Sequence, residues 1–181
     1  MSVVSNSSPL IALARIQRLD LVPIILQSVL IPPAVAREIA ASIPILPRWL
    51  EVRAPTKSAS GLTSRGRLGD GEWEAIALAV ELEASAIVID DRPARRLAEA
   101  AGLNVIGTLG LLLEAKRAGH IRTIRAELDK LLATSFFLSP QLYDQVLRIA
   151  GEHAVQRAAL RNVPVRPTAG VQLAGCVGTV R

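Results

Sequence analysis

The chain has 181 residues, a length typical of one domain, with half of them hydrophobic, a single cysteine and a net charge of +5. One cysteine excludes an internal disulfide bond and a metal site built from several cysteines. No stretch approaches the roughly 18 uninterrupted apolar residues of a membrane span, and the start, MSVV, lacks the pattern of a signal peptide. We therefore expect a cytoplasmic protein without a membrane segment.

The basic balance of the chain comes mainly from arginine, and the isoelectric point is about 10.3. Such a balance favours a polyanionic partner, since arginines contact phosphates readily. Genomic base composition explains an excess of arginine equally well. Charge alone therefore leaves the nucleic-acid interpretation open.

Strands and helices alternate through the predicted elements. The chain opens with a strand at 3–5, after which Ser8 is predicted to cap a helix whose first residue is Pro9, and Asp20 to cap a second helix. Further strands are predicted at 29–31, 86–90 and 103–106, with an edge strand at 49–53 inside a long loop, 43–70. Further helices are predicted at 34–42, 72–83, 93–101, 108–118, 122–133 and 140–150. This alternation predicts an α/β fold with a parallel sheet and right-handed crossovers.

The end of the chain differs in composition from the rest. Residues 151–181 are rich in Val, Ala, Gly, Pro and Arg and show no steady periodicity. We therefore expect one domain at 1–150, followed by a basic and largely irregular tail at 151–181. A basic arm that contacts nucleic acid is the alternative interpretation of this tail.

Polar and acidic residues follow the predicted strands, at the edge of a parallel sheet where ligands bind. Asn6 follows the first strand, Glu38 lies on the helix after 29–31, Glu72 opens a middle helix, and Asp90 and Asp91 close the strand at 86–90. Two carboxylates ~4 Å apart repel each other by roughly 4 kcal/mol at an effective dielectric constant of 20. Their convergence therefore predicts a bound Mg²⁺ or Mn²⁺, which prefers oxygen ligands and can activate water.

Several of these residues also have a purely structural interpretation. Asp90 can cap the next helix, which explains one aspartate of the pair, and Glu38 can be an ordinary surface residue. Glu72 and Glu74 point about 200° apart on a helix, so that only one of them can face the site. Because Glu74 fits the third position of a capping box, Glu72 is the preferred candidate, and the choice between the two stays open.

The order and spacing of these motifs resemble the PIN-domain superfamily. The matching segments are VVSNSSP from residue 3, VLIPPAVAREI from residue 29, GDGEWEAIALA from residue 69 and AIVIDDRPARR from residue 86. The resemblance covers about residues 2–150 and is closest to the PIN-like branch grouped with VapC-type toxins. It implies a three-layer α/β/α sandwich around a central parallel sheet. Asn6 replaces the aspartate usual after the first strand, and Ile89 replaces a threonine.

The resemblance also implies a function, namely metal-dependent hydrolysis of RNA phosphodiester bonds. The implied catalytic residues are Glu38, Glu72 and Asp91, and the implied ligands of Mg²⁺ or Mn²⁺ are Asn6, Glu38, Glu72, Asp90 and Asp91. Ser8 would orient the ligand after the first strand. The implied phosphate-binding residues are Arg92, Arg95 and Arg96, although a solvated helix face accounts for each of them singly.

The implied partners are RNA and a small antitoxin protein, and a homodimer is expected at the level of the family. One alternative is a PIN fold that has lost cleavage and only binds RNA or a protein. A dinucleotide-binding enzyme is excluded because the chain lacks a Gly-x-Gly-x-x-Gly motif after its first strand. A response-regulator receiver is set aside because no lysine follows the last predicted strand.

Overall fold

A parallel β-sheet lies at the centre of the protein. The computed structural model describes residues 2–56 and 68–152. Its five short strands are β1 (Val3–Ser5), β2 (Val29–Ile31), β3 (Leu50–Val52), β4 (Ala86–Val88) and β5 (Val105–Ile106). Every pairing is parallel, so that the carboxyl ends of all five strands meet at one edge of the sheet.

The strand order is β3-β2-β1-β4-β5. The chain builds the sheet outward from β1 through β2 to β3 and then returns to the opposite side of β1 to add β4 and β5. Val4 of β1 consequently pairs with Leu30 on one side and Ile87 on the other. The connections diverge between β1 and β4, and such a switch point opens the crevice in which doubly wound sheets bind ligands.

Eight helices in the described residues cover the sheet. They are α1 (Ser7–Arg15), α2 (Leu21–Leu26), α3 (Pro33–Ile39), α4 (Asp70–Glu81), α5 (Arg92–Ala100), α6 (Thr108–Arg117), α7 (Ile124–Leu132) and α8 (Pro140–Ile149). All the predicted strands and helices occur, including the edge strand β3 within the predicted loop.

Alternate residues of the strands pack into two separate apolar cores. Val3 and Val88 face a large core formed with α1, α2, α3, α6, α7 and α8. Val4 and Ile87 face a smaller core formed with α4 and α5. Because successive side chains of a strand point to opposite faces, a sheet buried on both faces needs apolar residues at every position. The three-layer α/β/α sandwich with a central parallel sheet is confirmed.

The predicted N-caps of the first two helices are wrong. The first helix begins at Ser7 with Asn6 as its N-cap residue, not at Pro9 with Ser8 as the cap. The helix starts early because Asn6, whose backbone is still extended, donates its N–H to Val88 O of β4 at 3.0 Å and ends the strand there. Asp20 precedes α2 with helical backbone angles, and its side chain accepts no capping hydrogen bond.

Parts of two predicted regions lie outside the described residues. These parts are 57–67 of the predicted loop and 153–181 of the predicted tail. No helix in the described part of the chain is long and apolar enough to cross a membrane.

Candidate functional site

Asn6 lies at the carboxyl end of β1, beside the switch point of the sheet. Its side chain is fully buried, and neither Oδ1 nor Nδ2 has a hydrogen-bond partner among the described residues. An asparagine at an N-cap ordinarily accepts from the first turn of its helix, but this side chain does not. A buried polar group without a partner costs about 1–3 kcal/mol, so such groups are rare and point to a bound water, ion or ligand.

Asp90 follows β4, which lies across the switch point from β1. Its Oδ1 accepts from the backbone N–H of Thr108 at 2.8 Å, and its Oδ2 accepts from Thr108 Oγ1 at 2.6 Å. Burial raises the pKa of Asp90, while the two hydrogen bonds from Thr108 and the charge of Arg95 oppose that rise. Asp90 therefore anchors the first turn of α6 to the end of β4, and both of its oxygens are engaged.

Asp91, and not Asp90, is the N-cap of α5. Its Oδ1 accepts from Ala94 N at 2.9 Å, and its backbone is extended. The structural interpretation considered for Asp90 therefore applies to its neighbour, and each aspartate has a distinct structural role. The second oxygen of Asp91 accepts no hydrogen bond within the described residues, so it remains available to a ligand.

The three arginines after this pair divide into two groups. Arg92 and Arg95 line a groove beside the aspartates. Arg95 also donates from Nη1 to Ile89 O at 3.1 Å, which holds its guanidinium against the end of β4. Arg96 is exposed and is absent from that lining.

The predicted glutamates lie at the packed helices α3 and α4. Glu74 Oε2 accepts from Ala34 N at 3.0 Å and thereby caps the first turn of α3. The predicted role of Glu74 in its own helix is wrong, because α4 begins at Asp70 and Glu72 is its third residue. Glu72 folds back toward Gly69 at the start of α4. Neither side chain shares the groove of the aspartates.

Glu38 contacts α4 from α3. A Cβ atom added to Gly71 would lie 2.5 and 2.6 Å from its two carboxylate oxygens, so the glycine leaves the space that this carboxylate fills. Glu38 accepts no hydrogen bond from the residues that the structure describes. It is therefore a carboxylate beside the start of α4 with both oxygens available.

A groove of about 910 Å³ opens at the carboxyl edge of the sheet, on the side of β4 and β5. One wall carries Asp90, Asp91, Arg92, Arg95 and Ser8. A second wall is formed by the connection between α7 and α8 and the start of α8, with Ser135, Phe136, Phe137, Ser139 and Leu142. The sequence interpretation missed this second wall, although its signal was present: the only two phenylalanines of the chain are adjacent and lie between two helices.

The described residues do not form a preassembled metal cluster. No three of the His, Cys, Asp and Glu residues within 2–56 and 68–152 are grouped so as to hold an ion. Asp90 accepts one hydrogen bond on each oxygen from Thr108, and each oxygen keeps a second lone pair, so its role as a metal ligand stays a prediction. Asn6, Glu38 and the second oxygen of Asp91 fit a divalent cation by their chemistry, since all three offer oxygens without partners.

The fold and the motif order together define the family. A family model described as a PIN domain matches residues 2–152, which include the whole sheet and all eight described helices. No match was found among curated proteins or among solved structures. PIN domains are nuclease domains that generally use divalent metal ions. Because the match extends over most of the chain and the sheet order places Asn6 and Asp90 on either side of the switch point, the chain belongs to the PIN-domain superfamily.

Proposed function

We propose that this protein is a metal-dependent ribonuclease that hydrolyses RNA phosphodiester bonds in the cytoplasm, as the VapC-like toxin of a toxin–antitoxin pair. One observation carries the catalytic part of this proposal. The Asn6 carboxamide is fully buried without a hydrogen-bond partner at the switch point, close in the fold to the end of β4. An amide oxygen in that position suits a hard cation.

The residues of the site would divide the work between them. Asn6, Glu38, Asp90 and Asp91 would hold Mg²⁺ or Mn²⁺, and Glu72 would join them by turning away from Gly69. A bound divalent cation supplies an activated water and stabilises the leaving oxygen of a phosphodiester. Asp90 keeps the end of β4 fixed against α6 through Thr108 and so positions its neighbour Asp91.

Groups in the groove would bind the substrate. Arg92 and Arg95 present guanidinium groups, which form charge-assisted hydrogen bonds with phosphate oxygens. Ser8 lies on the same wall and would orient the phosphate or the ligand after β1. Arg96 is left with the role of a peripheral contact because it lies away from the groove.

A second function is favoured by a specific observation. The described carboxylates are not gathered into a cluster, and position 6 lacks the charge of an aspartate. A PIN-fold protein that binds RNA or a protein partner without cleaving would show the same features. The proposed partners of the toxin, a small antitoxin and a second copy of the chain, apply to either function.

The test is cleavage of single-stranded RNA with and without metal. We expect cleavage to stop in EDTA and to return with Mn²⁺ or Mg²⁺, because the cation would activate the attacking water and stabilise the leaving oxygen. Glu38→Gln should lower metal affinity and activity by at least about 10–100-fold, the range seen when groups that support a metal are changed. Glu99→Gln, on the exposed surface of α5, is the matched control and should cleave like the parent. Full activity in EDTA would exclude the metal mechanism, and no cleavage in any metal together with RNA binding would establish the second function.

A further inference from the structure

Phe137 is exposed on the second wall of the groove that the aspartates and arginines also line. Its exposed fraction is 83 %, a large one for an aromatic side chain. The nuclease chemistry proposed for the groove makes no use of this ring. Single exposed apolar residues are common, but this ring differs from Ile45 and Ile149 because it lines the groove, where burial against a ligand would be favourable.

The backbone around Phe137 is fixed on both sides. Phe136 packs against the larger core, and Leu138 is buried. Ser139 caps α8 by accepting from Leu142 N at 3.2 Å, which holds the segment at its far end. The ring therefore projects from an anchored segment. Because this segment is already ordered in the free protein, ligand binding costs little loop entropy.

The near end of the same segment is also tied to the sandwich. Ser135 Oγ accepts from Arg15 Nη1 of α1 at 2.6 Å, and Thr134 Oγ1 donates to Leu131 O at 2.7 Å. Thr134 Oγ1 in turn accepts from Phe136 N at 3.2 Å. The bond from Arg15 ties this segment to α1, the helix that carries Ser8 of the first wall, and the two bonds of Thr134 hold the local turn.

The chemistry of the two walls selects the kind of ligand. Arg92 and Arg95 on one wall suit phosphates, and an aromatic ring on the other suits the face of a base. The volume of about 910 Å³ falls in the range of roughly 300–1,000 Å³ typical of ligand sites, so a nucleotide fits between the walls. The groove also has an apolar lining, with Val105, Leu109 and Leu142, so it is the two arginines that favour a ligand carrying phosphates over an uncharged protein segment.

We propose that Phe137 is a base-stacking residue that holds one unpaired base of a single-stranded RNA against the second wall of the groove. This inference rests on the proposed ribonuclease function. In a duplex the faces of the bases are stacked on one another, so the ring has no face to contact. The residue thus gives the protein a preference for single strands that is independent of base identity.

The experiment measures binding rather than cleavage. Fluorescence anisotropy of a short fluorescein-labelled RNA, single-stranded or annealed into a duplex, is recorded in EDTA with the full-length protein. Phe137→Ala should weaken single-strand binding about tenfold, within the roughly 1–3 kcal/mol that one stacked base contributes, and should leave duplex binding unchanged. Phe137→Tyr, which keeps the ring, should bind within about twofold of the parent.

A matched control is Ile149→Ala. Ile149 is also a large exposed apolar residue, 63 % exposed on α8, but it is absent from the lining of the groove. This variant should bind like the parent, and melting curves should show that neither exposed residue is needed for folding. Equal single-strand binding by the parent and Phe137→Ala, or an equal loss for both RNA forms, would overturn the stacking role.

The outcomes separate this inference from the proposed function. Normal cleavage with unchanged binding by Phe137→Ala would remove the stacking role alone. Selective loss of single-strand binding by a protein that never cleaves would remove only the nuclease function. A parent protein that binds neither RNA form would also overturn the stacking role and would leave the exposed ring to a protein partner.

Discussion

The buried carboxamide of Asn6 has both of its polar atoms without partners in the described chain. Burial of an amide without hydrogen bonds is unfavourable, and the loss is larger still for a carboxylate at the same place. The usual PIN residue at this position is an aspartate. The neutral asparagine attracts a cation less strongly than an aspartate would, but its burial costs less free energy. A substitution at position 6 is therefore expected to change the stability of the metal-free protein and the affinity for a cation in opposite directions.

Asn6→Asp tests this trade directly. The two side chains are nearly isosteric, so the variant should fit without repacking. Its buried negative charge should lower the stability of the metal-free protein by about 1–3 kcal/mol, because burial disfavours the charged form. Added Mn²⁺ should raise the melting temperature of the variant by more than it raises that of the parent, since a tighter ligand stabilises the folded state further.

Asn104→Asp provides the matched control. Asn104 is exposed and precedes β5, so it lies at the opposite edge of the sheet from Asn6. This variant adds the same charge at the other edge of the sheet from Asn6, and its shift with Mn²⁺ should equal that of the parent. If Asn6→Asp gave no larger shift than Asn104→Asp, position 6 would not face the cation.

The sequence predicts where Asp90 and Asp91 lie in the fold but not which hydrogen bonds each of them makes. Asp90 and Asp91 could be found because two charges directly after an apolar strand stand out. Which of them caps α5 depends on the residue at which the helix begins, and that start cannot be fixed to one position from sequence. Thr108 is not predicted because its role comes from a contact with Asp90, 18 residues earlier in the chain, which no local pattern records.

At the level of elements, α5 depends on its N-cap. Asp91 Oδ1 accepts from Ala94 N at 2.9 Å, and an acceptor at this position commonly contributes about 1 kcal/mol. Asp91→Ala should therefore lower the free energy of unfolding by about that amount and abolish metal binding. Asp91→Asn keeps an oxygen for the cap, so it should retain stability yet bind metal weakly.

The comparison of these two variants distinguishes capping from catalysis. Urea unfolding reports the cap, and calorimetric titration with Mn²⁺ reports the metal. Equal metal binding by Asp91→Asn and the parent would show that Asp91 is only a capping residue. Glu99→Gln, on the exposed side of the same helix, should leave both measurements unchanged.

Elements were predicted more securely than their ends. The strands are recognisable because β-branched residues cluster between breaks in the pattern, although each strand has only two or three residues. Helices could be placed by their apolar spacing, but α4 begins two residues before its predicted start at 72. The difference arises because the N-cap residue is Gly69, which is still extended, and a glycine has no side chain that could signal a cap.

At the scale of the whole molecule, Glu152 joins three parts of the chain. Its carboxylate accepts from Lys116 Nζ of α6 at 2.6 Å and from Thr123 Oγ1 at 2.6 Å. It also accepts from the backbone N–H groups of Ile124 and Arg125, at 2.7 and 3.1 Å, and so caps α7 from a position beyond the end of α8. One charged side chain beyond α8 therefore holds the end of α6 and the start of α7 together.

The stability that Glu152 contributes depends on pH, because its carboxyl group can be protonated. Burial raises the pKa of its carboxyl group, but the hydrogen bonds from Lys116, Thr123 and the two backbone amides outweigh burial and lower it from 4.5 to about 2. A carboxyl group with a lowered pKa in the folded state contributes stability above its unfolded pKa. That contribution is lost as the pH falls from about 4.5 toward about 2.

Glu152→Gln should therefore cost about 2 kcal/mol near neutral pH, because hydrogen bonds to a charged group are replaced by weaker ones and the amide nitrogen cannot accept. Urea unfolding of both proteins between about pH 7 and about pH 3 gives their difference in stability, in which the titrations of all other groups cancel. The difference should stay constant above the unfolded pKa and narrow below it, as the parent carboxylate becomes protonated.

Glu114→Gln is the matched control, since Glu114 pairs with Arg117 on the surface of α6, and its effect should be small and reduced by salt. A Glu152→Gln difference that did not change with pH would mean that Glu152 stabilises the helices by packing, and not by its charge.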